Sequence, residues 1–429
     1  MQLQTHRLPG LVLTDHIFEV PLDHDDPDGE QISVFAREVS TPSTEHSDLP
    51  WLVFLQGGPG GKSPRPFGAG GWIKRATQDY RVLLLDQRGT GRSSPINRQT
   101  LAARGDGLAQ AEYLSFFRAD SIVRDAERIR EELAYGEPWS ILGQSYGGFC
   151  SLTYLSIAPE GLRESFITGG LAPLTRSADE VYRATYRRVL EQNRRYFSRY
   201  PDDQDRAQAI AAYLNANEVR MPNGERLSVR RFQTLGMALG MSDGFESLHY
   251  LLDEAVVEGV KGPVLNDTFL FGAMQSLSFA TNPLYAVLHE SIYGQGSPTN
   301  WSAHRIREEY PAFNYQAGQP FLFTGEMIYP WMFEEDQFLR PMREASEYIA
   351  QIENWPALYD VELLQRNTVP VAAVVYADDM YVERQFSEET AQTVANCRIW
   401  LTNEYQHNGL RADGETILGR LISMVRGEC

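Results

Sequence analysis

Gly143-Gln144-Ser145-Tyr146-Gly147 sets a serine between two glycines, directly after the apolar run 139–142 and ahead of a segment that reads as a helix from about residue 148. In that context Gly-x-Ser-x-Gly reads as a nucleophile turn: the glycines let the chain reverse sharply and leave the Ser145 hydroxyl exposed at the head of the helix. A serine hydroxyl is a weak nucleophile until a base removes its proton. Of the eight histidines, His407 stands best for that work, because it follows the last strand-like run and precedes the final amphipathic segment. The imidazole needs a carboxylate to hold its tautomer and stabilise the imidazolium. Asp378 and Asp379 close the apolar run 371–377, and Asp379 is the preferred acid with Asp378 as the alternative.

The elements that must carry these groups are legible as runs. Residues 15–22 and 32–39 read as antiparallel or edge strands, and 51–55 and 81–86 as short strands apolar on both faces, the texture of a sheet covered by helices. Residues 111–133 read as one amphipathic helix leading into strand 139–142, and strand–helix–strand order places the chain in the α/β class with a mostly parallel sheet. From about 175 to 365 the texture turns helical, as in 181–200 and 205–216, and strand runs are scarce. The α/β pattern then resumes with strand 369–379, helix 388–397, strand 399–405 and a closing helix 413–425.

Gln56-Gly57-Gly58-Pro59-Gly60-Gly61-Lys62-Ser63 follows the strand 51–55 and half-matches a phosphate loop. That pattern needs a glycine where Gln56 stands, and Pro59 removes a backbone donor. The same loop suits another task, since acyl transfer builds negative charge on the former carbonyl oxygen and two backbone N–H groups commonly meet it. One comes from the residue after the nucleophile, Tyr146, and one from the loop after an early strand, here Gly58.

Length and composition agree with a soluble globular chain of one catalytic domain plus an insertion: 429 residues, 42% hydrophobic and 22% charged, without the run of about 18 apolar residues a membrane span requires. A formal net charge of −18 disfavours a nucleic-acid partner and tolerates a cationic substrate. Cys150, Cys397 and Cys429 offer neither a disulfide framework nor metal spacing, and no secretory leader is visible at the start, so a cytoplasmic location is expected.

The order Ser145, Asp379, His407 is that of the α/β-hydrolase arrangement. Together with GGPG at 57–60, DQRGTGRS at 86–93 and GQSYGG at 143–148, it makes the chain resemble the proline iminopeptidase (prolyl aminopeptidase) group of α/β-hydrolase serine peptidases. The matching pieces span 1–174 and 366–429, and the resemblance implies an α/β-hydrolase domain in two parts with a large helical cap, 175–365, inserted before the acid/histidine segment. It also implies release of an N-terminal proline from small peptides with a free N-terminus, without metal or cofactor; tripeptidyl aminopeptidases and carboxylesterases share the machinery, and a catalytically silent binding protein would share the scaffold. The family's usual HGGPG appears here as Gln56-Gly57-Gly58-Pro59-Gly60, and its Gly-Arg-Tyr-Asp around the acid as Tyr376-Ala377-Asp378-Asp379. An aminopeptidase must bind an ammonium group, and carboxylates in a partly desolvated pocket do so directly. Glu290 and Glu326 lead for this role, with Glu246 as a third, each set among apolar or aromatic residues; Phe149, Phe245, Tyr293, Tyr329 and Trp331 are available to wall a proline ring.

Overall fold

The computed structural model describes residues 2–429. Among them, nine strands form one sheet in the order β1-β2-β3-β5-β4-β6-β7-β10-β11. The first three, β1 (Gln2–Leu8), β2 (Leu11–Pro21) and β3 (Gln31–Ser40), run as an antiparallel meander whose last member pairs antiparallel with β5 (Arg81–Leu85). From there β4 (Trp51–Leu55), β6 (Trp139–Gln144), β7 (Leu162–Thr168), β10 (Val371–Tyr376) and β11 (Cys397–Thr402) continue in parallel.

Alternation along the central strands explains why they read as unbroken apolar runs. Val53, Leu55, Leu83, Leu85, Ile141, Ala373 and Val375 belong to one buried cluster, and Leu52, Phe54, Val82, Leu84, Leu142, Ala372 and Val374 to another. The second face is closed by the helices Gly71–Ala76 and Gly414–Arg426 through Trp72, Ile73, Ile417, Leu418 and Leu421. The first is closed by Ala119–Leu133 and Tyr146–Ile157 and runs on into the insertion.

Between β7 and β10 no strand joins this sheet. The segment holds the long helices Ala178–Arg199 and Asp202–Ala216 and a series of short helical turns. It also holds a small exposed hairpin, β8 (Val256–Gly259) with β9 (Gly262–Leu265), in a segment where the sequence shows few strand runs. A departure concerns 111–133, which is two helices, Gly107–Ser115 and Ala119–Leu133. Arg118 takes an extended conformation between them (φ −92°, ψ 179°) and sends its guanidinium to the Gly294 carbonyl at 2.6 Å. The helix expected over 388–397 spans Arg384–Thr393.

Parallel pairing decides where the chemistry can occur. Leu55 lies opposite Gly143, so the loop after β4 and the turn after β6 emerge side by side at the carboxyl edge. The connections after β10 and β11 leave the same edge. The strand order reverses about β4, whose partners are β5 and β6, and such a switch point is where open α/β sheets take their ligands.

Candidate active site

Ser145 directly follows β6 with φ 55° and ψ −124°, a conformation that side-chain-bearing residues rarely hold and that needs support from its surroundings. The helix Tyr146–Ile157 starts at the next residue, so its free amide end lies beneath the hydroxyl. Two glycines make the close packing possible. A Cβ on Gly147 would stand 1.9 Å from the Leu55 carbonyl oxygen, and one on Gly57 would stand 2.9 Å from Ser145 Cβ. The glycine loop after β4 therefore lies directly against the serine, with Gly58 (φ 142°) as its next residue.

The structure joins three of the expected residues in a hydrogen-bonded chain. His407 Nε2 and Ser145 Oγ are 2.8 Å apart, and His407 Nδ1 lies 2.8 Å from Asp379 Oδ2. An ionised carboxylate only accepts, so Nδ1 carries the ring proton, and the neutral imidazole presents Nε2 as acceptor to the serine O–H. Asp379 is 2% exposed, and its second oxygen accepts from the Tyr381 and Val382 amides at 2.8 and 3.1 Å, which anchors the carboxylate for the histidine. Burial pushes His407 down, but the charge and hydrogen bond of Asp379 and the charge of Glu326 outweigh it and hold the imidazole above its ordinary 6.5. Asp378 turns away to Arg195 of the insertion, at 2.8 Å.

Residues 50–279 match the family model of the alpha/beta hydrolase fold. Over 420 residues, 98% of each chain, the protein is 53% identical to a proline iminopeptidase of Aeromonas sobria. It is 34% identical over 436 residues to the proline iminopeptidase aneH of Aspergillus aculeatus, covering 98% of this chain and 95% of that one. The chain belongs to the proline iminopeptidase family of α/β hydrolases.

Against this family background the three glutamates separate. Glu326 faces the relay: its charge raises His407, and the imidazole in turn lowers it. Burial nevertheless carries the Glu326 carboxyl up to about 7, against the lowering effect of His407 and of the Tyr285 hydroxyl, which donates to Oε1 at 2.6 Å. Glu290 is buried but committed elsewhere. Its two oxygens accept from the Ser302 and Ala303 amides at 2.9 and 2.8 Å, closing the start of the helix Ser302–Ile306. Glu246 does not join the site either; it pairs with Arg199 at 2.9 Å and accepts from Tyr200 at 3.3 Å. That pairing is the ordinary fate of a partly exposed carboxylate beside arginine.

The aromatic wall is also narrower than expected. Phe149 and Tyr293 meet edge to face at 6.0 Å, and Tyr293 meets Tyr182 at 6.2 Å. Burial followed by the charge of Glu326 holds the Tyr293 hydroxyl well above its ordinary range. Phe245 instead packs on Tyr196, and Tyr329 and Trp331 stack on each other. Three further residues carry the site without having been singled out from the sequence. Tyr381 lays its ring against His407 at 4.6 Å, Tyr285 holds Glu326, and Gln87 of the DQRGTGRS run donates to the Gln56 carbonyl at 3.1 Å, fixing the start of the glycine loop. Tyr285 was signalled by its place in 284-LYAVLHESIY-293, and Tyr381 by following the acid by two.

Proposed function

We propose that this protein is a serine aminopeptidase that releases an N-terminal proline, or a similar residue, from small peptides through an acyl-enzyme. The observation that carries the reading is a half-buried carboxylate, Glu326, whose charge acts on the Ser145–His407–Asp379 relay and on Tyr293 of the Phe149–Tyr293 wall. A carboxylate in that position gives a free ammonium group a charge-assisted partner, and an acetylated one nothing.

His407 Nε2 takes the proton from Ser145 as Oγ attacks the carbonyl of the first residue. The amides of Gly58 and Tyr146 receive the developing negative charge, a contribution on the order of 10²–10³-fold in kcat per donor. His407 then passes its proton to the departing amine, and water repeats the cycle on the ester. All of these steps run on side chains and amides of this chain. The free thiols of Cys150, Cys397 and Cys429 support a reducing, cytoplasmic setting, and no helix of the described residues is long and apolar enough to cross a membrane.

The test is hydrolysis of prolyl arylamide with a free or an acetylated amine by wild type and by Ser145→Ala. Turnover of the free form alone, lost in the variant, is expected. Equal turnover of both forms by the wild type would overturn the aminopeptidase reading in favour of an esterase or amidase.

A further inference from the structure

If the substrate's amine is held at Glu326, the rest of the peptide has to leave toward solvent. A pocket of about 210 Å³ opens beside the site. It touches the machinery through five neighbours. Tyr285 lines it and holds Glu326; Gly325 and Met327 line it on either side of Glu326 in the chain. Met237 lines it and accepts the hydroxyl of Tyr381, whose ring rests on His407. Asn282 lines it and stands against Gly60 of the glycine loop, where an added Cβ would meet its Oδ1 at 2.6 Å. Its lining also includes Ser276, which is exposed.

Phe149, Tyr182 and Tyr293 are absent from this lining, so the acyl wall and the pocket are separate surfaces. The pocket thus adjoins the residues that hold Glu326, Tyr381 and the glycine loop, on the side away from the acyl wall, and its lining includes an exposed residue. Its walls are thioether, aliphatic and aromatic groups, with hydroxyls and one amide; none of the lining side chains carries a charge. Methionine walls adapt to differently shaped apolar groups, and an apolar cavity of about 150 Å³ already accommodates a benzene ring. A charged side chain would lose its hydration there without gaining a partner.

We propose that this pocket receives the second residue of the substrate, the first of the leaving peptide, and selects large uncharged side chains over charged ones at that position. The inference rests on the aminopeptidase reading and adds to it a preference on the leaving side of the scissile bond.

The test compares Pro-Leu-NH2, Pro-Asn-NH2 and Pro-Asp-NH2, amidated so that no terminal carboxylate intrudes, with prolyl arylamide as the control. The expected order of kcat/KM is Leu, Asn, Asp, with Leu over Asp by about tenfold or more. Ser276→Arg, which sets a cation at the exposed part of the lining, is expected to raise Asp relative to Leu by about threefold. Equal rates for the three dipeptides in an enzyme that hydrolyses the arylamide overturn the pocket assignment and leave the aminopeptidase reading intact. Failure on the arylamide as well overturns both.

Discussion

The Tyr285 hydroxyl donates to Glu326 at 2.6 Å, and through this contact a tyrosine of the insertion holds the carboxylate whose charge reaches His407. On the proposed reading, Glu326 and His407 each have a task that depends on pH in the same direction. The Glu326 carboxyl, carried up to about 7 by burial, offers an ammonium partner only once ionised, and His407, held above 6.5, acts as a base only once neutral.

Activity is therefore expected to rise through neutral pH, with the acid limb of kcat/KM above 6.5, the imidazole's ordinary value. Glu326→Gln removes a negative charge that favours the imidazolium, so the limb should move to lower pH. The variant should also lose the ammonium contact, about 2–5 kcal/mol for a desolvated charge pair, or about thirtyfold or more in kcat/KM. A pH–rate profile in both proteins checks the two effects together; a limb that stays in place would show that Glu326 does not act on His407.

Asp379→Asn keeps the shape of the acid and inverts its hydrogen-bonding logic. An amide nitrogen facing Nδ1 favours the tautomer that puts the proton on Nε2, where it blocks the serine. The expected loss in kcat is about 10⁴-fold, as for the corresponding change in other serine triads. Asp378→Asn, which touches Arg195 instead, should leave kcat within a few-fold (roughly, for an exposed pair). Steady-state assays of both variants discriminate, and comparable losses in the two would mean that the acid is misassigned.

The sheet and the reactive trio were legible because their signals are local: apolar runs bounded by glycine-rich turns, and a serine, an acid and a histidine each at a strand end. What was hidden depends on where side chains go after the backbone is placed. Glu290 and Glu326 sit in similar apolar surroundings in sequence, yet one closes the start of a helix and the other faces the relay. The break at Arg118 carries no proline or glycine; what accompanies it is a guanidinium contact to Gly294, 176 residues away, which no local pattern announces. The hairpin β8–β9 is short and exposed, so no apolar alternation marks it. DQRGTGRS drew notice as a family run, but its work is structural: Arg88 binds Asp125 and three backbone carbonyls, and Ser63 Oγ donates to the Leu85 carbonyl at 2.6 Å, giving the apparent phosphate-loop serine a plain fastening role.

Glu290 should matter to stability in a pH-dependent way. Burial raises its carboxyl from 4.5 to about 7 against the two amide hydrogen bonds that lower it. Between those values the folded protein holds a proton that the unfolded chain has released, so this group's contribution falls as pH rises through the window. Glu290→Gln cannot lose that proton, and it leaves one amide of Ser302 or Ala303 without an acceptor, a cost of about 1–3 kcal/mol. Thermal unfolding should show a lower Tm for the variant and a wild-type advantage that shrinks from pH 5 to pH 7 (roughly the span between the two states). An advantage that grows over that span would contradict the assignment.

Arg88 offers the sharpest separation of scaffold from chemistry. Its guanidinium is 1% exposed, and Nε meets Asp125 Oδ2 at 2.7 Å while Nη1 and Nη2 reach the carbonyls of Leu22, Phe116 and Pro21. Removing one partner of a buried pair leaves the other charged and unmet, typically about 3–5 kcal/mol. Arg88→Ala is therefore expected to lower the unfolding free energy measured in urea by that much. Asp125→Ala should do likewise, and the double variant should lose less than the sum, because the two residues share the interaction. Gln87, next in the chain, holds the Gln56 carbonyl, so the loss should also reach the glycine loop: where Arg88→Ala remains folded, kcat should fall with KM nearly unchanged. A strictly additive double variant with wild-type kcat would mean that the clasp and the loop are independent.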